Sequence, residues 1–198
     1  RPDRDGCQGA GCGGLIMFRR IIALLLLILL LPVNLLLALL LRIFQGPDVL
    51  FVQQRSGLGA KPFNLVKFRT MRDTRDDDGR LLPDEARVTA IGTFLRKTRL
   101  DELPSFWNVL TGDLAFIGPR PLLPWTIQSL GERGVKRGMV RPGLTGWAQI
   151  SGNTLLTLDE KVALDLWYID RRSWHVDISI VASTIWVMAA GEKRRKGL

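Results

Sequence analysis

Between Ile21 and Leu41 the chain runs for 21 residues without a charge, IIALLLLILLLPVNLLLALLL. About 20 apolar residues span a bilayer as a helix, so this run sets the frame for everything around it. It is longer than the ~7–15 apolar residues at the heart of a signal peptide, and no small-x-small cleavage site comes after it. Pro32 sits at its centre and Asn34 lies close by. Proline removes a backbone donor and clashes with the carbonyl four residues earlier, so the helix kinks or breaks there. Each half is then about 11 residues, or ~16 Å, which reaches only the bilayer midplane. Arg19 and Arg20 precede the run and Arg42 succeeds it, and the positive-inside preference draws both ends toward the cytoplasm. The residues allow two geometries: a kinked crossing helix, or a re-entrant hairpin that turns at Pro32 and leaves on the side it entered.

The Gly-rich opening RPDRDGCQGAGCGG breaks in composition from the chain beyond Met17. Residues 1–16 are therefore expected to be a non-native or disordered leader, residues 17–45 a helix-break-helix that enters the membrane, and residues 46–198 one folded domain with a basic tail. Cys7 and Cys12 both lie in the opening. A Cys-x4-Cys half-site without partners supports neither a disulfide framework nor a thiolate metal site. His175 is the one histidine, so acid, base or nucleophile roles fall to carboxylates. The chain carries 28 Lys+Arg against 19 Asp+Glu, a net charge of +9. Such an excess suits an acidic membrane face with phosphate-bearing substrates, or nucleic acid. The basic residues are spread along the chain instead of forming a stripe, which favours anionic bilayer lipids over nucleic acid.

In the remainder, Asp48–Gln53 and Phe63–Phe68 read as paired strands around the turn signals Gly57 and Gly59. The run RDTRDDDGRLLPDEAR reads as a polar loop, and its acidic spacing does not match a calcium loop. Val88, Ile91, Phe94 and Leu95 recur at helical spacing, as do Leu100, Leu103, Phe106, Trp107 and Leu110. Pro104 belongs in a helix's first turn, which starts the second helix near Asp101 or Glu102 and makes Asp101 a candidate N-cap. Asp159–Asp170 reads as a helix. Val176–Ala190, with Trp174 and Trp186 and the tail Lys193-Arg194-Arg195-Lys196, suits either an interfacial helix or a core helix. The fold class expected is α+β, mainly helical, with a β-hairpin.

Three blocks together resemble the bacterial sugar transferases, also called monotopic phosphoglycosyl transferases: GPDVLFVQQRSGLGAKPFNLVKFRTM (46–71), IGTFLRKTRLDELPSFWNVLTGDLAFIGPRP (91–121) and RPGLTGWAQISGN (141–153). The resemblance extends from about Met17 to Ala190. It implies a re-entrant membrane hairpin broken at Pro32 and a small catalytic domain with interfacial helices at the cytoplasmic face of the bacterial inner membrane. It also implies a requirement for Mg²⁺, a UDP-sugar donor and a polyprenyl phosphate acceptor such as undecaprenyl phosphate; a homodimer is left open. The product would start a cell-surface glycan, whether exopolysaccharide, O-antigen, capsule or glycoprotein glycan. Two positions depart from the family pattern. Leu31 stands where a serine often precedes the hairpin proline, and Ser151-Gly152-Asn153-Thr154 stands where Asn-Gly-Arg-Asn is frequent.

By resemblance, Asp101 is the nucleophile that attacks the phosphate nearest the sugar and expels UMP. The start of a helix favours an anion there, although an Asp at such a position is also an ordinary cap. Glu102 is expected to share Mg²⁺ with Asp101 or to take a proton from the lipid phosphate. Arg120, between Pro119 and Pro121, resembles the family's phosphate-binding arginine, since a guanidinium grips two phosphate oxygens at once. Lys67 and Arg69 suit substrate contact or a solvated basic face, and Arg55 is a weaker candidate. Arg141, Gly143, Thr145, Gly146 and Gln149 form a loop suited to nucleotide or sugar contact, or else a tight turn needing positive φ at its glycines. The other functions weighed are glycosyl transfer with UDP as product, and a membrane-tethered protein binding nucleic acid or lipid.

Overall fold

A computed structural model of the chain describes residues 12–193; of the leader expected over residues 1–16, residues 1–11 lie outside them, as does the basic tail beyond Lys193, while residues 12–16 are helical. Helix α1 (Cys12–Leu29) and helix α2 (Leu31–Phe44) carry the apolar run, and their axes bend by 57° at the break. The break falls at Leu30, and Pro32 occupies the first turn of α2, where its missing N–H interrupts no bond of that helix. Asn34 closes the corner, its backbone N–H and its Nδ2 both donating to Leu30 O at 2.8 and 2.9 Å. Among the described residues no single helix is long and apolar enough to cross a membrane; only the two halves of the bent pair together have that length and apolarity.

Strands β1 (Leu50–Ser56) and β2 (Pro62–Phe68) form the antiparallel hairpin, with Leu50 opposite Phe68 and Val52 opposite Val66. The polar run after them is loop except for the single turn of α3 (Asp84–Arg87). Helix α4 (Ala90–Thr98) is capped by Thr89, whose Oγ1 accepts from Gly92 N at 3.0 Å. A Cβ at position 92 would stand 2.0 Å from Thr70 O, so only glycine lets α4 lie against the chain leaving β2.

Arg99 ends α4 in the left-handed region at φ +59°, and a 3-10 turn over Leu100–Ser105 leads into α5 (Phe106–Thr111). The α-helix expected from Asp101 or Glu102 thus begins at Phe106, and Asp101 is not its cap. Contacts with β2 decide this. Ser105 Oγ donates to Val66 O at 2.6 Å, while Asn108 accepts from Val66 N at 3.0 Å and donates to Asn64 O at 2.8 Å. The segment is drawn onto the strand, and Pro104, which has no N–H to give, is accommodated in the tighter turn.

The C-terminal half comprises β3 (Ala115–Ile117), α6 (Pro124–Ser129), α7 (Glu132–Arg137), β4 (Gly143–Thr145), α8 (Trp147–Ile150), α9 (Leu158–Arg171) and α10 (Trp174–Ala190). Strands β3 and β4 pair in parallel, Ala115 opposite Gly143 and Ile117 opposite Thr145, an element the alternation did not announce. Helix α9 opens with a capping box between Thr157 and Glu160. Trp147 stacks on Trp167 at 4.5 Å over a core that includes Leu164, Tyr168 and Ile180. Ile180 is the one fully buried residue of α10, whereas Trp174, Ile178, Ile185 and Trp186 are exposed. The reading of α10 as a core helix does not hold, and most of its apolar surface faces outward.

Candidate active site

The 3-10 turn presents two adjacent carboxylates in different surroundings. Asp101 is only 6 % exposed. Burial and then the Glu102 charge push its pKa up, against the opposing pull of Lys67, Arg120 and Arg96. Burial also acts to raise Glu102, but Arg120 and Arg99 outweigh it and hold its carboxyl below the usual range. Both arginines approach the same oxygen: Arg120 Nη2 donates to Glu102 Oε1 at 2.8 Å, and Arg99 Nη1 stands 3.9 Å from it. Glu102 in turn raises the pKa of Arg120. Burial lowers that of Lys67, with the carboxylates of Asp101 and Glu102 pulling the other way. The arrangement is a poorly hydrated carboxylate next to a permanent ion pair.

Each group is fixed by a different element. Lys67 lies on β2, with Nζ 5.4 Å from the centre of the Phe51 ring, and Ser105 and Asn108 lock that strand to the 3-10 turn. Arg120 lies just beyond β3, and its carbonyl accepts from Arg137 Nη2. Arg137 is held by Asp165 at 2.8 Å, both side chains being almost fully buried. Arg55, Lys67, Glu102, Arg120 and Gly143 line one small pocket, so three cations share its wall with Glu102. Arg55 also donates to Pro121 O at 3.3 Å, and this weakest of the basic candidates belongs to the cluster.

Of the other predicted residues, Gly143, Thr145 and Gln149 line walls shared with Glu102, whereas Arg69 and Arg141 lie elsewhere. Arg69 is paired with Asp73 at 2.8 Å and stands 3.9 Å from Asp48; it comes just after the last residue of β2 and does not join the carboxylates. Arg141 lines a separate cleft of 430 Å³ with Lys61 and Asp113. Gly143 and Gly146 do not sit in a positive-φ turn. A Cβ at either would come within 2.2 Å of Gly118 backbone, so these glycines allow β3 and the β4 segment to touch. Thr145 Oγ1 pairs with Thr184 Oγ1 at 2.7 Å and ties β4 to α10. Gln149 Nε2 donates to Leu144 O at 2.7 Å, in the wall of an apolar cavity of 340 Å³ that also reaches Glu102.

Sequence reasoning passed over Arg99, Asn108, Arg137, Asp165 and Glu192. Arg99 stands immediately before Leu-Asp-Glu-Leu-Pro and could have been noticed. The others act through partners distant in the chain, and nothing local marks them.

A family model for the bacterial sugar transferases matches residues 16–191. The chain belongs to that family. Among bacterial sugar transferases it is 49% identical over 140 residues to the uncharacterized sugar transferase EpsL of Bacillus subtilis (strain 168), covering 71% of this chain and 69% of that protein. It is 40% identical over 178 residues to the UDP-glucose:undecaprenyl-phosphate glucose-1-phosphate transferase of Escherichia coli (strain K12), covering 84% of this chain and 38% of that protein. It is 35% identical over 168 residues to the UDP-N-acetylgalactosamine-undecaprenyl-phosphate N-acetylgalactosaminephosphotransferase of Aeromonas hydrophila, covering 81% of this chain and 40% of that protein. The sugar transferase chain therefore spans well under half the length of the two relatives with a named activity.

Proposed function

We propose that this sugar transferase moves a sugar-1-phosphate from a UDP-sugar to a polyprenyl phosphate, with Asp101 as nucleophile. An Asp101 carboxylate oxygen attacks the phosphorus nearest the sugar, the bond from that phosphorus to the bridging oxygen breaks, and UMP leaves with the electron pair. A phosphosugar-aspartyl intermediate remains. An oxygen of the lipid phosphate then attacks the same phosphorus, and Asp101 departs as carboxylate, giving a polyprenyl diphosphate sugar. The observation that carries this reading is the burial of Asp101 among Lys67, Arg120 and Arg96. A desolvated carboxylate is a better nucleophile, and fixed cations beside it balance charge on the phosphoryl oxygens in transit.

The two carboxylates also fit Mg²⁺. Among the described residues no cluster of three or more His, Cys, Asp and Glu side chains is present, and this ion is commonly held by one or two carboxylates with substrate phosphates and water completing its shell. Asp101 and Glu102 would hold it, with Glu102 kept ionised by arginines that both approach Oε1. When bound, Mg²⁺ would offset repulsion between the anionic nucleophile and the anionic diphosphate. Glu102, with its pKa held down, suits this role better than that of a proton acceptor.

The outward apolar residues of α1, α2 and α10, Leu29, Leu35, Ile43 and Trp186 among them, support seating on a membrane, with the bent pair entering one leaflet as a hairpin. The acceptor is a lipid, which agrees with that placement on the cytoplasmic face of the bacterial inner membrane. The test is to identify the nucleotide released by purified protein in nanodiscs given undecaprenyl phosphate, Mg²⁺ and a panel of UDP-sugars. UMP released by the wild type and lost in Asp101→Asn is the expected result; UDP release would assign ordinary glycosyl transfer instead.

A further inference from the structure

Helices α1, α5, α8 and α10, the 3-10 turn and strands β3 and β4 border the half-open cavity of 340 Å³ that reaches Glu102. Leu26, Phe106, Leu144, Val181, Ile185 and Met188 supply most of its wall, and Arg99 and Glu102 are its charged members. Its hydroxyl hydrogens are already used. Thr184 Oγ1 donates to Ile180 O at 2.7 Å, so the hydrogen in its contact with Thr145 comes from Thr145, and neither hydroxyl has a hydrogen left to donate. Gln149 donates through Nε2 to Leu144 O, while its buried Oε1 has no hydrogen-bond partner among the described residues.

This apolar cavity and the cationic pocket of Arg55, Lys67 and Arg120 share Glu102 and Leu144 in their walls. Glu102 and Leu144 thus face both spaces, and a molecule with its phosphate in one and hydrocarbon in the other would pass Glu102, the chain neighbour of Asp101. A nucleotide sugar offers such a wall only the flat face of its base and is polar along the rest of its length; a lipid phosphate, with a long hydrocarbon chain behind its charged head, matches both halves. The volume lies near the low end of the ~300–1,000 Å³ of small-ligand sites, which suits the start of a long chain and not the whole of it. The cavity is bounded by Leu26 of α1 and by α10, whose outer apolar surfaces are exposed, so a longer chain has an apolar path outward.

We propose that this cavity binds the first isoprene units of the polyprenyl phosphate, directing its phosphate past Glu102 toward Asp101. The inference rests on the acceptor assigned under the proposed function. Val181 faces the cavity from α10 and is no part of the charged cluster, so Val181→Trp fills the space without altering the chemistry. The KM for undecaprenyl phosphate is expected to rise about tenfold or more, with the KM for the UDP-sugar unchanged. An unchanged KM for the lipid, or equal losses toward both substrates, would overturn the proposal.

A second measurement works without turnover. Polyprenyl phosphate bearing a diazirine in its first isoprene units is irradiated with wild-type protein in nanodiscs, without donor sugar. Adducts on Leu144, Val181 or Met188 that undecaprenyl phosphate competes away, and that phosphatidylglycerol does not, are expected. Adducts confined to outward residues such as Trp186, or competed equally by phosphatidylglycerol, would show bulk lipid contact and sink the inference. Cavity adducts in a protein that forms no lipid-linked sugar would overturn the reaction and leave the cavity assignment standing.

Discussion

Arg99 donates through Nη2 to Glu192 Oε1 at 3.0 Å while its Nη1 stands 3.9 Å from Glu102. One guanidinium thus joins the residue just beyond α10 to the carboxylate beside the proposed nucleophile. Glu192 also accepts from Asn153 Nδ2 at 2.6 Å and from Thr154 N at 3.2 Å. Asn153 and Thr154 are two of the three positions, with Ser151, at which the chain differs from the Asn-Gly-Arg-Asn pattern. Burial acts to raise the pKa of Glu192, but its bonds to Thr154 and Asn153 and the Arg99 charge hold it below the usual range, so the clamp is ionic at neutral pH.

Glu192→Ala is expected to lose about 1–2 kcal/mol of stability, since it leaves Arg99 and the Asn153 turn without this acceptor. Glu192→Gln, which keeps an acceptor oxygen, is expected to lose less. Thermal unfolding in detergent measures both. Equal midpoints for the Ala variant and the wild type would show that the clamp contributes nothing.

Arg120→Lys keeps a positive charge but loses the planar fork that both holds Glu102 and reaches toward phosphate oxygens. A loss of about 10²-fold in kcat/KM for the UDP-sugar is expected. Steady-state kinetics with the preferred donor provides the measurement, and a lysine variant as active as wild type would mean that charge alone suffices.

Asp101 must be ionised to attack, and its folded-state pKa is raised by burial and by Glu102. The acid limb of kcat/KM is therefore expected above the ordinary Asp value of about 3.9. Lys67 opposes that rise, so Lys67→Met moves the limb to higher pH; Glu102 contributes to it, so Glu102→Gln moves the residual activity's limb to lower pH. The pH profile of UMP release reads all three, and a downward shift in Lys67→Met would exclude Asp101 as the titrating group.

The buried Arg137–Asp165 pair holds the loop of Arg120 from behind, through the Arg120 carbonyl. Removing one partner strands a charge, so Arg137→Met is expected to cost about 3–5 kcal/mol. Arg137→Met combined with Asp165→Leu should recover most of that stability. Denaturant unfolding of the single and double variants tests this, and recovery of fold without recovery of kcat would assign the pair a positioning role for Arg120.

The sequence by itself determined the elements whose signal is local. The charge-free run and Pro32 announced the bent pair, and alternation announced β1 and β2 to within a few residues. Helical spacing announced α4, α9 and α10. Long motifs placed Asp101, Glu102 and Arg120 within one family, and these three are brought together beside Lys67. Tertiary structure decided what depends on partners far along the chain. Bonds from Ser105 and Asn108 to β2 moved the start of α5 to Phe106, and the parallel pairing of β3 with β4 turned Gly143 and Gly146 into packing positions. Arg69 was drawn away by Asp73. Arg99 and Glu192 meet across 93 residues, and Arg137 and Asp165 across 28. Periodicity reports only which face of an element is apolar; which charge meets which across such distances is settled when the elements pack, because a buried charge is tolerated only beside its partner.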